Sequence, residues 1–331
     1  VRHDQHSLMC GIAIVFATLL IAYIKPSIYA MMLVFLASGV LLMTEGAHKK
    51  QIFLSAANQM VATYKTTWRG AQLRLFHHDQ LLSEYKSKLQ KLHLSEPLPR
   101  INGKSDIYPF DQIYLFASEN EWRPRPVLQS YSAYNQTLSE MDARFLESKD
   151  AADYLFFRVD TIDGRYPSSD DGNSWPTLLS KYHPIRKAGS YLILQKNNSD
   201  ALPIKLDSVG SGTYSLNTWV EIPHTGQKIF AGIDVQPSLL GRLKNLFYKS
   251  SHLGIAVRLE DGSKKYFRLV AGNVSSRFLL SPLIENTEQF GMLYKDPASL
   301  KTNRVEAISI WVEGDSKDWE KNYQLHLKTL N

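Results

Sequence analysis

Cysteine is almost missing from this 331-residue chain: Cys10 stands alone, so no internal disulfide and no multi-cysteine metal centre can form. The sequence also lacks a P-loop, a dinucleotide glycine fingerprint, a Gly-x-Ser-x-Gly elbow and a His-Glu-x-x-His pair. These absences leave the nucleotide-hydrolysing, dehydrogenase, serine-hydrolase and zinc-protease classes without support. His77 and His78 are adjacent, hence about 100° apart on a helix, which argues against a shared metal. No internal repeat, low-complexity tract or block of like charge occurs. The net charge of +6 comes from dispersed Lys and Arg, which is not the concentrated footprint of a nucleic-acid binder. No cofactor is expected.

What is present is concentrated at the start. Two uncharged apolar runs, 9–24 and 28–43, are separated only by Lys25, Pro26 and Ser27. Each is a little short of the ~20 residues that span a hydrocarbon core, but Leu8 and Thr44 extend them and a span of ~17 is tolerated. The expectation is a two-helix transmembrane hairpin. A signal peptide fits less well because of the second run, and a buried core hairpin because neither run keeps a wet face. Residues 2–6 look like a loop entering a helix, as in the tail of a longer membrane protein. Arg2, Lys49 and Lys50 against Lys25 would put both termini in the cytoplasm. Long domains translocate largely regardless of such charges, however, and the expected location is a bacterial plasma membrane with the soluble region on the extracytoplasmic side.

Residues 47–100 form an amphipathic connector. Met60, Tyr64, Trp68, Ala71, Leu75, Leu82 and Tyr85 recur at helical spacing, with a break expected near Gly70 and an end at Pro97 and Pro99. Its apolar stripe is expected to pack on the following domain; the alternative is a helix lying on anionic lipid. In residues 101–198, strands are predicted over 106–108, 126–129, 154–159 and 190–195, with helices over 112–117, 135–147 and 175–182. This alternation predicts a small α/β domain with a parallel sheet. Residues 199–331 carry short alternating runs (218–222, 228–235, 254–259, 265–270, 307–312) and helical insertions near 239–248 and 285–294. That is the pattern of an antiparallel β-sandwich. The fold class is therefore a membrane-anchored α+β protein.

In a parallel sheet, ligands collect at the carboxyl ends of the strands. The loop around the second predicted strand supplies Arg123, Arg125, Gln129, Tyr131 and Tyr134, and the loop after the third supplies Asp160, Asp163, Arg165, Asp170, Asp171 and Trp175. Rings that stack on CH faces, with carboxylates and guanidinium groups that pair with hydroxyls, suit a saccharide. The competing explanation is structural. Asp163-Gly164 and Asp171-Gly172 are ordinary turn formers, Asn173 or Ser174 is a plausible helix cap, and both arginines of the first loop can pair with nearby acids. Asp160, Asp163, Asp170 and Asp171 lack the regular spacing of a calcium loop. Two of these carboxylates would serve a hydrolase only if they flank a cleft. Trp219 and Trp311 lie in apolar alternating runs and are expected in the core.

The stretches Asp106-Ile107-Tyr108-Pro109, 122–134, 162–165 and 171–176 resemble the C-terminal region of a group of uncharacterised bacterial polytopic membrane proteins, with similarity from about Tyr85 onward. The overall plan of that group looks like membrane glycosyltransferases that use polyprenyl-phosphate sugars. The resemblance implies an accessory or C-terminal part of a cell-envelope glycan system. Its partners would be the bilayer, a saccharide or lipid-linked saccharide, and a membrane protein. The group has no established reaction, so no catalytic residue carries over; in such glycosyltransferases the catalytic acid lies in an early extracytoplasmic loop that this sequence does not include. The alternative is a membrane-anchored structural or interaction module without catalysis.

Overall fold

The computed structural model describes residues 5–47, 52–197, 204–246 and 250–330. Arg2, Lys49, Lys50 and residues 198–203 of the expected linker lie outside them. The chain divides into two compact units, Val1–Lys86 and Ser87–Asn331.

The first unit is helical. α1 (Gln5–Ile24) and α2 (Ile28–Ala47) form a hairpin in which Gly11 of α1 lies against Leu41 of α2, so the helices run antiparallel. Pro26 breaks the helix, and Ser27 caps α2 by accepting from the Ala30 amide at 3.1 Å. Large apolar side chains such as Phe16, Tyr23, Met32 and Phe35 are exposed on both helices. The hairpin expected from the sequence is thus present as a helix pair. Its membrane-spanning character is not met by the described residues: side chains are described for 10–24 of α1 and 28–42 of α2, and among the described residues no helix is long and apolar enough to cross a membrane. α3 (Ile52–Phe76) and α4 (His78–Ser95) follow. Gly70 lies inside α3, and the interruption falls instead at His77, across which backbone bonds continue from His77 to Leu73 and from Leu81 to His77. Among the described residues α4 buries none of its side chains.

The second unit joins a mixed sheet to a sandwich. β1 (Lys104–Tyr108), α5 (Ile113–Ala117), β2 (Glu121–Trp122), α6 (Gln136–Glu147), β3 (Tyr154–Phe157), α7 (Ser174–Lys181), β4 (Tyr182–Ala188) and β5 (Tyr191–Lys196) build a sheet of order β2-β1-β3-β5-β4. Only β2, β1 and β3 are parallel; β5 runs antiparallel to β3 and forms a hairpin with β4. The all-parallel sheet is therefore corrected to a mixed one. The strand predicted over 126–129 is a loop. Pro124 and Pro126 have no amide to donate to a ladder, and the Val127 amide donates to Asp142 at 2.8 Å instead. Side chains alternate across this sheet: Ile107, Phe156, Tyr191 and Ile193 face Leu98 and Leu115, while Tyr108, Leu155, Phe157 and Leu194 face Trp175, Leu178 and Phe290. Each such aromatic or aliphatic side chain contributes roughly 1.5–3 kcal/mol by leaving water.

The remaining elements are β6 (Leu206–Ser215), β7 (Val220–Glu221), β8 (Lys228–Asp234), α8 (Leu239–Lys244), β9 (His252–Leu259), β10 (Lys264–Leu269), α9 (Ala271–Val274), β11 (Phe278–Ser281), α10 (Thr287–Lys295), β12 (Val305–Glu313) and β13 (Asn322–Leu330). They form two four-stranded antiparallel sheets, β10-β9-β12-β7 and β11-β8-β13-β6, as the sandwich pattern predicts. Ile233, Leu325 and Leu327 of one sheet meet Ile255, Val257 and Ile308 of the other in one core. Trp219 departs from expectation: it is 40% exposed, with Arg258 and Lys264 over its ring. Its run crosses from turn to strand, so its alternation does not extend to a buried position.

Candidate functional site

β1 and β3 are adjacent and parallel, with Tyr108 beside Phe157 at their carboxyl ends. From β1 the chain turns through α5 to β2 on one side. From β3 it leaves for α7, β4 and β5 on the other. This divergence at the strand ends is the place where open α/β sheets bind ligands.

Two loop starts, 109–112 and 158–161, meet there. The Arg158 amide extends the ladder by donating to the Tyr108 carbonyl at 3.1 Å. Its guanidinium Nη2 then reaches the Asp111 carboxylate at 2.7 Å and the Asp160 carboxylate at 2.8 Å. The Arg158 guanidinium carbon is 5.0 Å from the Tyr191 ring centroid and 5.5 Å from that of Phe110, within cation–π range. Phe110 meets Tyr131 edge to face at 5.8 Å, and the Tyr131 hydroxyl donates to Gln129 at 2.6 Å. Asp111 adopts a left-handed backbone, φ 76°, which a non-glycine residue occupies at a cost and which orients its carboxylate into the cluster. Burial pushes the Asp111 carboxyl up; Arg158 opposes the shift and Asp160 adds to it. Arg158 Nε and the Tyr191 hydroxyl are buried and have no hydrogen-bond partner among the described residues. The cluster is partly open to solvent, with 42% of the Asp160 side chain, 31% of Asp111 and 19% of Arg158 exposed. An aromatic floor, two carboxylates and a guanidinium on one accessible rim can stack on a ring and pair with adjacent hydroxyls.

Beneath this rim lies a second, sealed cluster. Arg125, fully buried, donates to Asp106 at 3.0 Å, to the Ile107, Pro109 and Leu128 carbonyls at 2.7, 2.8 and 3.0 Å, and to the Ser130 hydroxyl at 3.2 Å. Its Nε lies 3.5 Å from Asp142, and its guanidinium stacks 3.6 Å above the Tyr108 ring. Asp171 accepts from Tyr108, Ser139 and Ser174 at 3.3, 3.2 and 2.7 Å. Burial and the neighbouring Asp142 hold the Asp171 carboxyl well above its ordinary range. Burial likewise pushes Asp142 up to about 6 against the pull of Arg125. Such a network fixes the β1, β2 and α6 loops, and its carboxylates have no access to a substrate.

The sequence-predicted residues therefore part company. Gln129, Tyr131 and Asp160 meet on the accessible rim. Arg125 and Asp171 belong to the sealed cluster. Arg165 is buried on Asp170 at 2.8 Å and on the Tyr131 carbonyl at 3.1 Å, while Asp163 faces Arg268 of β10 at 3.3 Å. These contacts stitch the long loop to the sandwich. Burial pushes the Asp170 carboxyl up, opposed by Arg165. Trp175 is a core residue between Phe157 and Phe290, at 5.9 and 5.4 Å. Arg123 pairs with Asp150 at 2.9 Å, and Tyr134 is exposed at the edge. Asn173 makes no side-chain cap to α7; its carboxamide oxygen accepts from Arg277. Among the described residues no group of three or more His, Cys, Asp or Glu is placed to hold a metal ion. Phe110, Asp111 and Arg158 were not singled out from sequence. The signal was available, since the carboxyl-end argument applies equally to the first predicted strand, 106–108.

The chain matches no family model, no curated protein and no solved structure.

Proposed function

We propose that this protein is a membrane-anchored saccharide-binding module of the bacterial cell envelope, an accessory part of a glycan-handling system whose soluble unit faces the extracytoplasmic side. The observation that carries the binding reading is the Arg158 guanidinium shared by Asp111 and the half-exposed Asp160, with Phe110 and Tyr131 beside it, at the divergence of β1 and β3. The anchor is supported by exposed apolar side chains on both helices of the hairpin, and the sequence continues each run to Leu8 and to Thr44. The exposed stripe of Met60, Tyr64, Trp68 and Leu75 suits the lipid interface.

The test uses the full chain in a neutral detergent against an array of bacterial envelope glycans. Phe110→Ala and Asp160→Asn should each weaken binding about tenfold without moving the thermal midpoint. Undiminished binding in both variants refutes the site. Retention of the wild-type chain in the membrane pellet after carbonate washing supports the anchor, and release refutes it.

A second reading, an interaction module without catalysis, is favoured by one feature of the sandwich. Leu239, Leu240, Leu243 and Leu246 are all exposed in and after α8, Leu239 to 82%. An apolar cluster of this kind marks a contact surface.

A further inference from the structure

We propose that the outer face of the β6-β13-β8 sheet carries an oxyanion site, suited to a phosphate or phosphate monoester and separate from the rim at β1 and β3. A cleft of about 410 Å³ opens there, bounded by the outer sheet face, the loop between α9 and β11, and the starts of α6 and α7. Arg277, His326 and Lys328 line it with the serines Ser208, Ser211 and Ser276. No carboxylate is among its lining residues.

The strand register explains the assembly. Leu325 and Leu327 of β13 point into the sandwich core, so His326 and Lys328 stand on the opposite, outward face. Across the ladder His326 is paired with Ser211 and Lys328 with Ser208, because the register shifts between Leu327 and Lys328. That shift brings both serines alongside both basic residues. Arg277 enters from the α9–β11 loop, held by its amide and Nε on the Asn173 carboxamide oxygen at 3.3 and 3.2 Å. Its two Nη groups have no hydrogen-bond or ion-pair partner among the described residues, and neither does Lys328 Nζ. Ser276 is 2% exposed, and its hydroxyl is a buried group without a partner. A native fold seldom leaves a buried hydroxyl such as that of Ser276 unpaired without a ligand or water to take it. Guanidinium, ammonium and hydroxyl donors in a cleft lined by no carboxylate are the donor set of an oxyanion, and Glu140 and Glu147 line only the adjoining cleft on the other side of Arg277 and Asn173. The volume exceeds that of a bare phosphate and admits an attached sugar or glyceryl group.

The experiment titrates the full chain in neutral detergent with inorganic phosphate by calorimetry, then repeats the titration with Lys328→Gln and Arg277→Gln. Lys328→Gln is the cleaner variant, since no described partner is lost with the charge; Lys328→Arg keeps the charge. Phosphate should bind, weaken as salt rises, lose about tenfold in affinity in each Gln variant and recover in Lys328→Arg. Competition by glucose 1-phosphate but not glucose identifies a soluble ester, whereas competition by a short-chain phosphatidate alone identifies a lipid headgroup. No phosphate binding by the wild-type chain, or equal affinity in both Gln variants, overturns the proposal. Because the rim variants Phe110→Ala and Asp160→Asn leave this cleft untouched, their phosphate affinity should stay at the wild-type value whatever they do to glycan binding.

Discussion

Replacing Arg125 by Met tests the sealed cluster most directly. The side chain has zero exposure and joins Asp106 of β1, Asp142 of α6, three backbone carbonyls and the Ser130 hydroxyl. Met fills most of the volume but leaves the Asp106 and Asp142 carboxylates without their counter-ion and takes one donor from each of three carbonyls, of which Pro109 keeps the Ser130 amide and Leu128 the Gln112 carboxamide. Breaking a buried pair from one side costs about 3 to 5 kcal/mol, much of it the penalty of the stranded charge. Only the Ile107 carbonyl, in β1, loses a donor inside an element; the Pro109 and Leu128 carbonyls lie in loops, so the expected loss stays within that range. The loss should also depend on pH. Without the guanidinium, burial raises the carboxyl pKa values further, so protonation relieves the variant more than the wild type. The stability difference is therefore larger at pH 8 than at pH 5. Trp122 reports on the same cluster through its indole bond to Asp106 at 3.0 Å, so urea unfolding followed by tryptophan fluorescence and circular dichroism measures it. A loss below about 1 kcal/mol, or the same loss at both pH values, would refute the assignment of Arg125 as the hub.

Asp142 supplies a second prediction. Its folded pKa is raised to about 6, above the ordinary value, so its stabilising contribution is complete below about pH 4 and is lost as pH rises through 6. Asp142→Asn should flatten that part of the stability profile, a change on the order of 1 to 3 kcal/mol seen in urea midpoints between pH 4 and 7.5; an unchanged slope contradicts it. Gly272 packs so closely on the Tyr134 carbonyl that a Cβ would overlap it, so Gly272→Ala should cost about 1 to 3 kcal/mol in thermal unfolding, and a neutral result would mean the α6–α9 contact is soft. Leu239→Ser with Leu243→Ser should leave stability within about 0.5 kcal/mol while reducing self-association in sedimentation, because both side chains already face solvent; a large loss of stability would show that they are packed.

Elements with strong periodicity are legible along the chain. The two apolar helices, α6 with its Asn135 cap, the buried strand β3, and β8, β9 and β12 of the sandwich can all be read from apolar spacing and turn residues. β4 and β6 could not. β4 is an edge strand carrying Pro184, Arg186 and Lys187, and β6 is rich in Gly and Ser. Strands of that kind gain their order from a partner's ladder rather than from a buried face of their own. Tertiary structure alone decided the direction of β5, which turned an expected parallel sheet into a mixed one. It alone separated the charged residues of the two loops as well. Arg125 and Arg158 are alike in sequence, each near acids and aromatic rings, yet one is sealed beneath the sheet end and the other opens onto it. Burial and the choice of ion partner depend on which loops meet in space, and local spacing carries no information about that.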